Sequence, residues 1–244
     1  MSNQSKLEQL NEEIIACRKC PRLVAWREEV ARVKRKAYID QEYWGKPVPG
    51  FGDPNARVVV VGLAPGAHGS NRTGRNFTGD ASGAFLYPAL YRAGFANQPS
   101  ALSRDDGLVL KDLYLTASGR CAPPANKPSP EELNNCQPFL ERDLEILKPK
   151  VIVCLGKIAF ERILKIYSLT PALREAPPRG SQNGRGRTAW KFGHGALFQL
   201  PTDELSTDRW LLCSYHPSQQ NTLTGKLTVK MFDDIWEKAK LLRK

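Results

Sequence analysis

The chain reads as an α/β protein built on a parallel sheet with helices covering both faces. Three observations predict this. Four short apolar runs, at residues 58–61, 113–116, 151–155 and 210–214, have the continuous hydrophobicity of strands buried on both faces. Segments with apolar residues at helical spacing separate them, and strands that alternate with helices favour parallel pairing. The first run passes into Gly62 and a polar, glycine-punctuated loop that extends to Gly83. Ligands of open α/β sheets bind outside the C-terminal ends of the strands, so this loop is the first place to seek chemistry. Its spacing fits neither GxxxxGK[ST] nor GxGxxG.

Each element has its own signal. Leu7, Leu10, Ile14 and Ile15 space an amphipathic helix over residues 3–17, and Pro21 interrupts the pattern after Cys17-Arg18-Lys19-Cys20. A basic helix follows at residues 23–33. Residues 38–53 hold Trp44, Pro47, Pro49 and Phe51, which predicts an irregular packed loop. Residues 84–93 look helical, and residues 96–107 form a polar connector. The second strand run leads into Arg120-Cys121-Ala122-Pro123. Ser129, Pro130 and Glu132 spell a capping box with proline at the first helical position, opening a helix that carries Cys136, Phe139, Leu140, Leu144 and Leu147. Ile158, Ile163 and Leu164 mark the next helix after Gly156. Residues 168–195, rich in Gly, Pro and Arg, predict a loop and a surface hairpin. The fourth strand run enters Tyr215-His216-Pro217-Ser218, and a helix over residues 229–242 ends the chain. No repeat or linker divides it, so residues 1–244 read as a single domain.

The formal charge of +11 on 244 residues favours a polyanionic partner, usually nucleic acid. No run of 18 apolar residues is present, which predicts no membrane span. The polar N-terminus lacks an apolar signal core, and a cytoplasmic protein is expected. Of the six cysteines, Cys154 and Cys213 lie inside apolar strand runs and read as buried thiols. Cys17, Cys20, Cys121 and Cys136 lie instead among arginines, lysines and prolines. Four thiolates in such settings suit a [4Fe–4S] cluster or a structural zinc, and spacing does not choose between them. Of three histidines, His216 directly follows a strand, at the same sheet edge as the Gly62 loop. His68 is within that loop, and His194 reads as capping a turn.

Together these motifs resemble a known family. Gly62-Leu-Ala-Pro-Gly-Ala-His-Gly, with Asn71-Arg-Thr-Gly-Arg and Phe77-Thr-Gly, is similar to the first motif of the iron–sulfur uracil-DNA glycosylases. His216-Pro-Ser, with Asn221 and Thr224-Gly-Lys-Leu-Thr, resembles their second, and the four cysteines match their cluster ligands. Ala64, where relatives carry a polar residue, points to the family 5 (type b) branch. The resemblance implies an α-β-α sandwich on a four-stranded parallel sheet, a [4Fe–4S] cluster that orders DNA-facing loops, and a monomer. It implies a monofunctional glycosylase of base excision repair that removes uracil, and other deaminated bases such as hypoxanthine, from double-stranded DNA.

The chemistry then distributes roles. The departing base needs a donor, a platform and a placed water. His216 suits the donor to uracil O2, and Phe77 the stacking platform. Gly62, Ala64, Pro65 and Gly66 form the turn around the base. Asn71 or Asp80 would orient the water, with helix capping as the other role open to Asp80. Family 4 relatives read uracil through an asparagine, and the equivalent here is Ala117, so Ser118, Gln219 and Asn221 are the candidate replacement contacts. Ser218, Thr224 and Lys226 suit phosphates, and Leu223 a wedge in the base stack. Two rival readings are a family 4-like enzyme strict for uracil and a non-catalytic, zinc-stabilised nucleic-acid-binding module.

Overall fold

The computed structural model describes residues 1–167, 190–201 and 209–244. Its centre is a sheet of six strands in the order β1-β3-β2-β4-β6-β5. The four predicted runs are β2 (Val58–Gly62), β3 (Leu113–Ala117), β4 (Val151–Leu155) and β6 (Arg209–Ser214), and they pair in parallel. Two further strands pair antiparallel at the edges, β1 (Phe51–Gly52) on β3 and β5 (Leu197–Leu200) on β6. The sheet is therefore six-stranded and mixed, where four parallel strands were expected. β1 is too short to show a periodicity. β5 lies beside a glycine-rich stretch that masked its alternation. Of the hairpin predicted over residues 168–195, residues 168–189 lie outside the described residues.

Period-two alternation divides the core into two layers. Val58 and Val60 face Leu86 and Leu90 of helix α4 (Ala81–Arg92) and Phe232 and Trp236 of the last helix, α8 (Val229–Leu242). Val59 and Val61 face Leu7 of α1 (Asn3–Ile15), Leu140 and Leu144 of α5 (Pro130–Leu147), and Phe160 and Ile163 of α6 (Lys157–Ile166). Each such side chain, fully buried, contributes roughly 1.5–3 kcal/mol. Helices on both faces make the α-β-α arrangement.

Helix boundaries follow their caps. Pro21 does more than end the first pattern. It is the first residue of α2 (Pro21–Val33), where its missing N–H costs nothing, and Cys20 is the cap. Ser129 and Glu132 form the predicted capping box of α5. Asp80 caps α4, accepting from Gly83 N–H at 2.9 Å, so α4 starts three residues before the expected 84. Two short helices, α3 (Ser70–Thr73) and α7 (Gln219–Leu223), sit in the loops after β2 and β6. Among the described residues, no helix is long and apolar enough to cross a membrane.

Candidate active site

Parallel pairing of β2, β4 and β6 brings their C-terminal loops to one edge. The β2 loop turns back on itself so that Phe77 lies over Gly62, where an added Cβ would stand 2.9 Å from the ring. Phe77 takes a left-handed backbone, φ +53°, and donates its N–H to Ser70 Oγ at 3.1 Å. Its carbonyl lies so close to Gly83 that a Cβ there would overlap it. A Cβ at Gly69 would likewise overlap the Asp80 carboxylate, and one at Gly66 would approach it to 3.2 Å. Glycines at these positions thus admit an aromatic ring and a carboxylate to one cavity.

Buried arginines fix the loop. Arg72 donates to the His68 and Gly79 carbonyls, each at 2.8 Å, and stacks over the Tyr38 ring. Arg75, 3% exposed, makes a two-pronged pair with Asp106 at 2.8 Å.

The cavity has a volume of about 790 Å3. Gly62, Ala64, Gly66, Phe77, Asp80, His216 and Ser218 all line it. His216 leaves the end of β6 beside Gly156, whose absent Cβ would stand 3.6 Å from that of His216. The imidazole and the Phe77 ring lie 5.9 Å apart, tilted by 33°. Burial lowers the His216 pKa from its ordinary 6.5 to about 4, so the ring is neutral at pH 7. The sign is clear. The unfolded chain takes up this proton near 6.5 and the folded chain only near 4, so acid in that window favours unfolding. In histidine-resolved NMR titrations, the His216 signals are expected to stay unmoved from about pH 7.5 to about pH 5.5, where a solvated histidine would titrate. A midpoint near 6.5 would show a ring open to water.

The Asp80 carboxyl is pushed up by burial, against the Gly83 and Ser82 N–H groups and Arg72. One oxygen caps α4, and the side chain also walls the cavity, so the two roles open to Asp80 coexist.

Other predicted residues serve the site from behind. Asn71 is not in the cavity. It is fully buried, and its amide donates to the Arg27 carbonyl at 3.3 Å and that of Ala67 at 3.5 Å. It therefore joins the loop to α2 and does not line the cavity. Pro65 is buried and does not line the cavity. Ser118 is buried, with Oγ donating to Gly62 O at 3.1 Å, and ties β3 to β2. Asn221 donates to the His216 carbonyl at 2.9 Å and so holds the backbone of that histidine. Leu223 stands 82% exposed at the end of α7. Thr224 Oγ1 donates to Gln220 O at 2.6 Å, and Lys226 lies 5.0 Å over the Tyr215 ring.

Several cavity residues carried no sequence signal: Arg35, Tyr38, Asn76, Asn126 and Gln220 line it. Ala117, expected at the base-reading position, lines it at the end of β3. His68 is there too, with Nδ1 3.0 Å from Tyr43 Oη. Burial first, then Arg35 and Arg72, lowers its pKa.

The four candidate ligand cysteines meet elsewhere. Cys17, Cys20, Cys121 and Cys136 line one small cavity with Arg120 and Asn135. All are free thiols. Arg27, 2% exposed, donates to Cys121 Sγ at 3.0 Å, and Asn135 Nδ2 to Cys20 Sγ at 3.5 Å. Burial pushes the Cys121 thiol up to about 12, against the pull of Arg27, and raises Cys136 as well. Among the described residues, no three His, Cys, Asp or Glu side chains close around a single ion. Cys154 and Cys213 are buried register partners in β4 and β6.

Comparison with known proteins agrees with this geometry. The chain is 52% identical to a type-5 uracil-DNA glycosylase of Thermus thermophilus over 94% of each chain. It is 48% identical to one of Mycobacterium leprae, covering 97% of this chain and 95% of the relative. A type-4 uracil-DNA glycosylase of Archaeoglobus fulgidus shares 33% identity over 67% of this chain. The sequence profile of the uracil DNA glycosylase superfamily matches residues 49–240, and the chain belongs to that superfamily.

Proposed function

We propose that this chain is a DNA glycosylase that hydrolyses the N-glycosidic bond of uracil in DNA, as the first step of base excision repair. The observation that carries this reading is the His216–Phe77 pair across one cavity at the C-terminal sheet edge. A base flipped out of the stack would lie on Phe77. Neutral His216 would donate an N–H to uracil O2 as negative charge gathers there. Asp80 would orient the attacking water from the cavity wall. A dissociative transition state asks little of that nucleophile, so a carboxylate that also caps a helix suffices.

The reading extends to duplex DNA and to hypoxanthine. Ala117 brings a methyl group to the cavity where relatives place a bidentate base reader, and Ala64 lines it where they carry a polar residue, which together support relaxed base choice. Leu223 is exposed beyond Ser218, as a wedge in the base stack needs. Duplexes carrying one uracil or one hypoxanthine, incubated with the protein and then treated with alkali, are expected to break at the modified position. An intact uracil duplex would overturn the assignment, and an intact hypoxanthine duplex would leave an enzyme strict for uracil.

The cysteine cavity supports a [4Fe–4S] cluster held by Cys17, Cys20, Cys121 and Cys136. Four thiols with N–H donors aimed at two of their sulfurs, beside two buried guanidiniums, fit an anionic sulfur-ligated group. Such a group would tie together the turn before α2, the loop after β3 and α5. Through Arg27 and Asn71 it would brace the catalytic loop. Metal and sulfide analysis of anaerobically purified protein is expected to find iron and acid-labile sulfide. Zinc in their place would overturn the cluster.

A further inference from the structure

Most of the cavity's polar groups belong to the β2 loop or to the His216 loop itself. One titratable group stands just behind them with no part in the chemistry so far. His194 lies in Gly193-His194-Gly195, before β5, and sits partly buried between Tyr215 and α8. Its Nε2 is 3.2 Å from the Met231 carbonyl oxygen, which only accepts. Its Nδ1 is 3.3 Å from the Tyr215 backbone N–H, which only donates. Ser214 Oγ spends its proton on Tyr215 O at 3.0 Å, so its 3.4 Å approach to Nδ1 offers no donor. One arrangement satisfies both partners: a neutral imidazole with the proton on Nε2. Burial, which lowers the His194 pKa, favours the same neutral form.

Tyr215 is the residue before His216. Its amide is therefore clamped from α8, while its ring lies 5.2 Å from the His194 ring and carries Lys226 on another side at 5.0 Å. Beyond it, Asn221 grips the His216 carbonyl. The peptide that carries the leaving-group donor is thus held from two sides. The hold comes from α8, which packs on the sheet through fully buried Phe232 and Trp236.

We propose that His194 is a positioning residue for His216: by bridging Met231 and the Tyr215 amide it sets where the His216 ring stands over the base. It touches no substrate. Its effect passes entirely through His216, because a misplacement of about 1 Å at a reacting group costs up to about a hundredfold in rate.

A double-mutant cycle tests this. His194→Phe keeps a ring against Tyr215 and removes both hydrogen bonds. In protein that retains His216, single-turnover uracil excision is expected to fall about tenfold, while affinity for a duplex carrying the abasic product changes less than threefold. In the His216→Ala background the same substitution is expected to leave the residual rate within twofold. A tenfold loss in both backgrounds would make His194 a general support of the fold and overturn the proposal. No loss with His216 present would overturn it as well. Should His194→Phe fail to fold, His194→Gln, which keeps one donor and one acceptor on a flexible stem, runs the same cycle with a smaller expected loss. The inference rests on the glycosylase reading. A wild-type protein that leaves uracil in place defeats that reading, and a wild-type enzyme with an additive cycle defeats this inference alone.

Discussion

His216→Ala is expected to slow single-turnover uracil excision by about a hundredfold to a thousandfold, roughly 3–4 kcal/mol of transition-state stabilisation. The size follows from position. The ring sits in the cavity wall 5.9 Å from Phe77, neutral because burial holds its pKa near 4. A neutral N–H aimed at a departing base gains strength as that base becomes an anion. His68, the other histidine at the cavity, already meets Tyr43 and stands on the opposite arm of the loop, so it is no substitute. Abasic-product binding should survive, because Thr224 and Lys226, proposed to meet phosphates, do not line the cavity. Asp80→Ala should cost less rate, and Asn71→Ala should act on the loop's rigidity. A His216→Ala enzyme within a fewfold of wild type, beside an inactive Asp80→Ala, would move the chemistry to Asp80.

Gly83→Ala is expected to be the most damaging single methyl in the site. The added carbon would overlap the Phe77 carbonyl, and both atoms belong to rigid backbone, one in the first turn of α4 and one in a left-handed residue. Neither can yield as a side chain tip would. Overpacking of this kind costs about 1–3 kcal/mol in stability. The larger effect falls on catalysis. Relief requires moving either Phe77 or the Gly83 N–H that donates to Asp80, and Phe77 and Asp80 both line the cavity. A shift near 1 Å in either should lower excision about a hundredfold. Urea unfolding together with single-turnover rates would check this. An active Gly83→Ala enzyme of ordinary stability would show the loop to be far softer than its hydrogen bonds suggest.

Much of this architecture was legible because it is local. Val58 to Val61 announce a two-faced strand, and the Ser129–Glu132 box marks the start of α5. His216 was found by its place after a strand, since parallel pairing sends every such loop to one edge. What was hidden is non-local. Asn71 has the type and neighbourhood of a water-orienting residue, yet its amide turns away to Arg27, 44 positions earlier in the chain. Ser118 and Asn221 likewise serve backbone carbonyls that no spacing rule connects to them. Arg35 and Tyr38 reach the cavity only because α2 leans on the loop, a packing choice with no periodic trace. The edge strands escaped because pairing, not propensity, makes them strands.

Phe77 bears on heat tolerance and its engineering. Its left-handed backbone, φ +53°, is one that L side chains avoid, at roughly 1–2 kcal/mol. The protein holds that strain in the middle of its most important surface. Glycine would adopt this backbone freely, but the Phe77 side chain is buried in the main core, and deleting such a ring costs about 3–5 kcal/mol, more than the strain it would release. The packing of the ring therefore holds its own backbone in place. A screen for thermal resistance is expected to keep the same aromatic residue that the proposed base platform needs, so robustness and repair pull this one position in the same direction.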